Sequence, residues 1–171
     1  AGLASQMTDH LEAGAQHTAA EMDTRIDVIR RRASEATLDD VLNADGYLFC
    51  APENLATVSG EMLEFFHRTY YHAFDCSGNG QSYGESSRLI GRPYGLAIAA
   101  GSDGSGAARQ VARICQGWRL QASAEPLIVK NGLTQTAANI LRPKECAPDA
   151  SAQCHELGGL LAATLLMNEE S

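Results

Sequence analysis

A chain of 171 residues with 44% hydrophobic and 20% charged residues has the size and composition of one soluble globular domain. It is long enough to bury roughly 70% of its unfolded surface without a structural staple. Its net charge of -8 excludes a general nucleic-acid or acidic-membrane surface, and the single basic run, Arg30-Arg31-Arg32, reads as a solvated strand end.

The five cysteines, Cys50, Cys76, Cys115, Cys146 and Cys154, are odd in number and include no CxxC pair. That argues against a zinc site and against a disulfide framework, and it points to a reducing compartment. No apolar run approaches the length of a membrane span, and "AGLASQMTDHLEAGA" lacks the order of a signal peptide. The expected location is the cytoplasm.

Leu3, Met7, Leu11 and Ala15 recur at helical spacing, which predicts an amphipathic helix over about 2–20. Residues 24–32 alternate as a strand would. Thr37 starts a short helix with Asp39 and Asp40 in its first turn, where carboxylates suit the helix dipole. The apolar stretch 46–51 predicts a buried strand that stops at Pro52, followed by a loop and a helix from Ser59 with Met62, Phe66 and Thr69 or Tyr70 facing inward. Residues 75–91, rich in Gly and Ser, read as a surface loop or, with Tyr83, as a lid.

Tyr94 to Ala100 predicts a second buried strand running into a glycine-rich turn, and the helix after it carries Ala108, Val111, Cys115 and Trp118 on one stripe. Residues 120–129 predict an edge strand interrupted near Pro126, because proline cannot donate to a central ladder. A last helix from about Pro148 is expected to bury Leu157, Leu160, Leu161, Thr164 and Leu165. Short apolar strands alternating with helices indicate one α/β domain with a parallel sheet covered on both faces.

In such sheets ligands bind beyond the carboxyl ends of the strands. Two loops hold those positions here, 52–60 and 101–106, both built from small and polar residues. Each alone has a plain structural explanation. Pro52 can end a strand and Ser59 can cap a helix, while Gly101 and Gly104 can form a tight turn. There is no Walker loop and no GxGxxG fingerprint. Together, the two loops present backbone N–H groups with little side-chain bulk to whatever lies against them.

The segments "ADGYLFCAPENLATVSGEMLEFFHRTYY", "GRPYGLAIAAGSDGSGAARQ" and "GWRLQASAEPLIV" resemble, in order, the flavodoxin-like NAD(P)H-dependent oxidoreductases, the FMN reductases and quinone reductases of that fold. The resemblance implies a three-layer α/β sandwich with a parallel sheet of order 2-1-3-4-5. It also implies FMN as cofactor, NAD(P)H as reductant, a quinone-like acceptor and a homodimer or homotetramer. The flavin contacts it implies are Pro52, Glu53, Asn54, Leu55, Ala56, Thr57, Ser59 and Gly60 from the first loop. From the second they are Gly101, Ser102, Asp103, Gly104, Ser105 and Gly106, with a bulkier side chain at Gly104 expected to enter the flavin site. No side chain is assigned as catalytic acid or base, because the chemistry belongs mostly to the cofactor.

The family places a first strand and a phosphate-binding loop ahead of its first helix, and residues 1–171 have no counterpart of either. Upstream residues are therefore expected in the natural polypeptide. Two other readings stay open: an FMN-holding electron carrier, whose acidity suits a basic redox partner, and a flavin-free interaction protein that keeps the fold. The aromatic group Tyr70, Tyr71, His67 and His72 reads as core or subunit contact, and Cys50 as a small buried hydrophobe.

Overall fold

The computed structural model describes residues 2–75 and 86–169. Residues 76–85, which include Cys76, Tyr83 and most of the stretch 75–91 read as a surface loop or lid, lie outside the described residues.

The sheet is built around β3 (Pro93–Ala100), in which every residue is buried. It pairs in parallel with β1 (Tyr47–Asn54) on one side, in register from Tyr47↔Tyr94 to Pro52↔Ala99. On its other side it pairs in parallel with two short strands, β4 (Gln121–Ala122) and β5 (Leu127–Lys130). These are one edge strand interrupted around Pro126, as the proline predicts. A short β2 (Thr57–Val58) folds back antiparallel on the end of β1.

Alternation along the strands divides the core in two. Phe49, Tyr94, Leu96 and Ile98 face one side, where α2 (Leu38–Asn43), α3 (Gly60–Thr69) and α4 (Ser105–Gly117) close over them. Phe65, Phe66 and Trp118 fill that layer, with Tyr70 stacked on Trp118 at 5.7 Å and accepting the indole N–H through its carbonyl at 3.0 Å. Of the group Tyr70, Tyr71, His67 and His72, only Tyr70 packs against this core; Tyr71, His67 and His72 are exposed. Ala97 and Ala99 face the other side, under α1 (Leu3–Glu21) and α6 (Pro148–Glu169).

Helices α1 and α6 approach backbone to backbone. A Cβ at Gly158 would lie 1.9 Å from the Leu11 carbonyl oxygen, and one at Gly14 would lie 1.9 Å from that of His155. Only glycine permits this contact. In α6 the buried face is Leu157, Leu161, Ala162 and Leu166, whereas Leu160 is exposed and Thr164 and Leu165 are half-buried. The expected stripe is therefore shifted, because α6 packs on a helix as well as on the sheet.

Two expectations are corrected. Residues 24–32 form no strand. Among the described residues, the backbone of 25–31 has no backbone partner, and no strand pairs the outer edge of β1 from Tyr47 to Pro52. Alternation makes a segment competent for a sheet, but a strand exists only with a hydrogen-bonded neighbour. The segment is held instead by side chains: Arg30 pairs with Asp9 of α1, and Arg31 lies 3.4 Å from Asp40. The second correction is that β1 does not stop at Pro52. It continues to Asn54, which an edge position allows because no ladder bond is asked of the proline nitrogen there.

Candidate functional site

The carboxyl ends of β1, β3 and β5 converge on one cleft of about 360 Å³, inside the ~300–1,000 Å³ range of small-molecule sites. Pro52, Glu53 and Asn54 line it from β1, Ala99, Ala100 and Gly101 from the end of β3, and Asn131 from beyond β5. Gly2, Leu3 and Ala4 bring the N-terminus of α1 to the same space. That helix start has no side-chain cap and no acidic residue in its first turn. Its free N–H groups leave it suited to an anion.

A larger groove of about 690 Å³ runs along α4 beside β4, lined in part by Tyr94, Arg109 and Arg113. It is the bigger space but the weaker candidate. It lies beside the two-residue exposed strand β4, away from the strand ends where loops converge.

Each wall of the cleft is tied to the next. Beyond Asn54 the chain turns through Leu55 (φ 52°) and Ala56 (φ 61°) into β2, with Asn54 paired to Thr57. Both central residues are left-handed, as in the two-residue hairpin turn that usually takes Asn-Gly. Here Leu and Ala hold that conformation at roughly 1–2 kcal/mol each, and Leu55 is 99% exposed at the tip. The Val58 N–H donates to Gln110 of α4 at 2.9 Å, and the Ser59 N–H donates to the Pro52 carbonyl at 3.0 Å.

Glu53 reaches across to the second loop, where its Oε2 accepts the Gly104 N–H at 2.8 Å. A carboxylate is favoured there because it meets the positive end of the α4 dipole. Its other oxygen, Oε1, is buried without a hydrogen-bond partner. A buried carboxylate oxygen left unpaired is costly, so this atom calls for a donor.

The third wall is a strap, residues 131–147, that includes the short helix α5 (Ala137–Ile140). Asn131 donates its N–H to the Ala100 carbonyl at 3.0 Å, and Gln135 Nε2 donates to the Gly101 carbonyl at 2.9 Å. Gln6 of α1 clamps the far end, its Nε2 donating to the Lys144 carbonyl at 2.8 Å and its Oε1 accepting the Cys146 N–H at 2.9 Å. The Lys144 ammonium donates to the Asn139 and Ile140 carbonyls at the end of α5. Leu133, Thr134, Asn139, Ile140 and Lys144 all line the cleft.

No family model and no curated protein matches the chain. Solved structures do. A flavodoxin from the domain Archaea is 14% identical with a TM-score of 0.65, over 97% of this chain and 92% of that one. The fold is flavodoxin-like. Two-electron reduced flavodoxin from Megasphaera elsdenii is 16% identical with a TM-score of 0.63, over 95% of this chain and 93% of its own. An oxidoreductase from Corynebacterium diphtheriae is 15% identical with a TM-score of 0.65, over 98% and 93%.

Within this flavodoxin-like frame, Pro52, Glu53, Asn54 and Gly101 lie in the cleft wall. Leu55, Ala56 and Thr57 form the adjoining hairpin tip, while Ser59 takes the N-cap position without a side-chain capping bond and Gly60 begins α3, outside the cleft lining. Ser102 and Asp103 belong to the exposed turn before α4, and Ser105 begins the helix with its hydroxyl bonded to Asp103. Gly106 lets the hairpin sit down on α4, since a Cβ there would be 2.3 Å from the Ala56 carbonyl oxygen.

Gly104 behaves differently from expectation. Its φ is +78°, and a Cβ would meet Ile128 Cγ2 at 2.5 Å and Ala100 Cβ at 2.9 Å. A side chain there would enter the sheet packing and not the cleft. The strap residues were not read from sequence as part of the site. Their available signal was positional: the carboxyl-end rule that selects the first two loops applies equally to the polar stretch after the third parallel strand.

Proposed function

We propose that the cleft binds FMN and that the protein transfers reducing equivalents from NAD(P)H through it to a quinone or similar small acceptor. The observation that carries the reading is the unpartnered Glu53 Oε1, held at the junction of two strand-end loops beside an uncapped helix N-terminus. A flavin offers an imide N–H to such an acceptor, and its phosphate suits the first-turn N–H groups of α1. Lys144 adds a cation to the same space. Leu55 at the hairpin tip and Ile140 of the cleft lining, both exposed, offer apolar surface for a planar ring.

When bound, FMN supplies the hydride and electron chemistry. The chain's own part is to orient it: Gly104 fixes Glu53, Gln135 fixes the Gly101 turn, and Gln6 fixes the strap. The Glu53 carboxylate also disfavours extra negative charge near it, which biases the site against an anionic reduced ring. Assembly into two or four copies and a cytoplasmic location belong to the same proposal. No helix among the described residues is long and apolar enough to cross a membrane.

Titrating the purified chain with FMN, followed by flavin fluorescence, tests the binding. Saturable quenching that riboflavin alone does not reproduce supports both the ring site and the phosphate site. No quenching overturns the reading. Steady NAD(P)H turnover with a small quinone then supports the reductase, whereas FMN binding without turnover favours an electron carrier of acidic surface.

A further inference from the structure

The groove of about 690 Å³ between α4 and β4 shares no lining residue with the strand-end cleft. Its helix wall is one stripe of α4 on which Arg109, Arg113 and Gln116 are all exposed. Among the described residues, neither guanidinium forms an ion pair or a hydrogen bond. In a chain of net charge -8, two unneutralised cations on one wall reverse the local sign and favour an anionic partner.

The floor adds a third polar group. Tyr94 of β3 is only 7% exposed, yet its hydroxyl has no hydrogen-bond partner among the described residues. Burial first, then Cys115 and Glu125, pushes Tyr94 up to about 12, so the hydroxyl stays protonated and can donate. The Glu125 carboxylate that acts on Tyr94 pairs with neither arginine.

The opposite wall is a sheet edge. Among the described residues, β4 pairs with β3 alone. The N–H groups of Gln121 and Ser123 donate to the Arg92 and Tyr94 carbonyls, each at 2.9 Å. Alternation along the strand then turns the N–H and C=O of Ala122 away from β3, and Ala122 lines the groove. An open edge of this kind can accept a further strand.

We propose that the groove docks an extended acidic segment of a partner protein, which adds as a short strand on β4 and sets alternate carboxylates against Arg109 and Arg113. The two arginines are one helical turn apart, a rise of roughly 6 Å along the axis. Side chains on one face of a strand repeat at roughly 6.6 Å, so acidic residues at every second position meet both. Each guanidinium can take a carboxylate through two parallel hydrogen bonds. The exposed walls suit a chain lying along the groove better than a small molecule, which a site buries by roughly 70–90%. The proposal does not depend on which ligand the cleft takes.

The test uses the full chain and a fluorescein-labelled peptide of alternating glutamate and threonine, followed by fluorescence anisotropy at low ionic strength. Saturable binding is expected, and it should weaken as salt is raised. A peptide of the same composition with its glutamates in one block should bind about tenfold more weakly. Arg109→Glu and Arg113→Glu should each weaken the alternating peptide about tenfold and leave the circular dichroism unchanged, because both positions are exposed. Tyr94→Phe should weaken it by a smaller factor. N-methylation at alternate peptide residues, in the two possible registers, should abolish binding in one register and spare it in the other. No binding, equal binding of the blocked peptide or of a single-stranded oligonucleotide, or indifference to both arginine changes would overturn the proposal. Equal behaviour of the two methylated peptides would also overturn it, by showing charge contact without strand addition. Displacement of the peptide by free glutarate at a comparable concentration would do the same, by marking a small-anion site.

Discussion

The Glu53 carboxylate accepts the backbone N–H of Gly104 across 2.8 Å, joining residues 51 positions apart in the chain. One oxygen thus ties the end of β1 to the start of α4, and the other is buried without a hydrogen-bond partner near Gly106 of α4. Under the proposed function the two oxygens have separable roles, structural and ligand-directed, and a single isosteric change distinguishes them.

Glu53→Gln keeps an acceptor for Gly104 but places an NH₂ group where Oε1 now lies. Thermal unfolding should shift little. FMN affinity should fall at least tenfold, or ~1.4 kcal/mol, because a donor would face the imide N–H. Glu53→Ala should lose both, with stability reduced by about 1.5–3 kcal/mol, the range for a hydrogen bond to a charged group. Unchanged FMN affinity in Glu53→Gln would remove Oε1 from the site.

The Leu55-Ala56 turn stores strain at a position that faces solvent. The pair Leu55→Asn and Ala56→Gly restores residues that accept positive φ and should raise stability by ~1–2 kcal/mol in urea unfolding. The same pair removes the apolar tip and should weaken FMN binding about tenfold. A gain in stability with no loss of affinity would show that the strain is unrelated to the ligand.

Gly158→Ala tests the contact of α1 with α6. A methyl group cannot be placed 1.9 Å from the Leu11 carbonyl oxygen, so the helices must separate. A loss of about 1–3 kcal/mol is expected, as for other overpacked positions. Gly60→Ala is the control, since its Cβ would meet nothing within 4 Å.

The capping box of α2 predicts an acid-dependent term. The Thr37 N–H donates to Asp40 Oδ2 at 2.8 Å, and Asp40 N–H donates to Thr37 Oγ1 at 3.2 Å. The bond from the Thr37 backbone is the largest influence holding the Asp40 carboxyl below its ordinary value of 3.8, with Arg31 adding to it. A folded value below the unfolded one means the stabilisation is present above the ordinary value and is lost as pH falls through the folded value. Asp40→Asn should therefore be less stable than the parent chain at neutral pH, and the difference should shrink in strong acid. Thr37→Ala should cost ~1 kcal/mol at neutral pH.

Much was legible in the sequence because it depends on local pattern. Helical spacing located α1, α4 and the start of α6. A run of apolar residues located β3, and Pro126 marked the break between β4 and β5, since a missing N–H is a property of the residue itself. What escaped depends on partners distant in sequence. Alternation at residues 24–32 could not reveal that, among the described residues, the backbone of 25–31 has no backbone partner, and Pro52 could not reveal that β1 passes through it along an open edge. The glycine at 104 announced a turn, but only the packing of Ile128 and Ala100 decided that its missing side chain makes room for the sheet. The strap carried no periodic signal at all. Its place in the cleft follows from Gln6, Ala100 and Gly101 binding it across the fold, and hydrogen bonds of that reach exist only once the strands and helices are assembled.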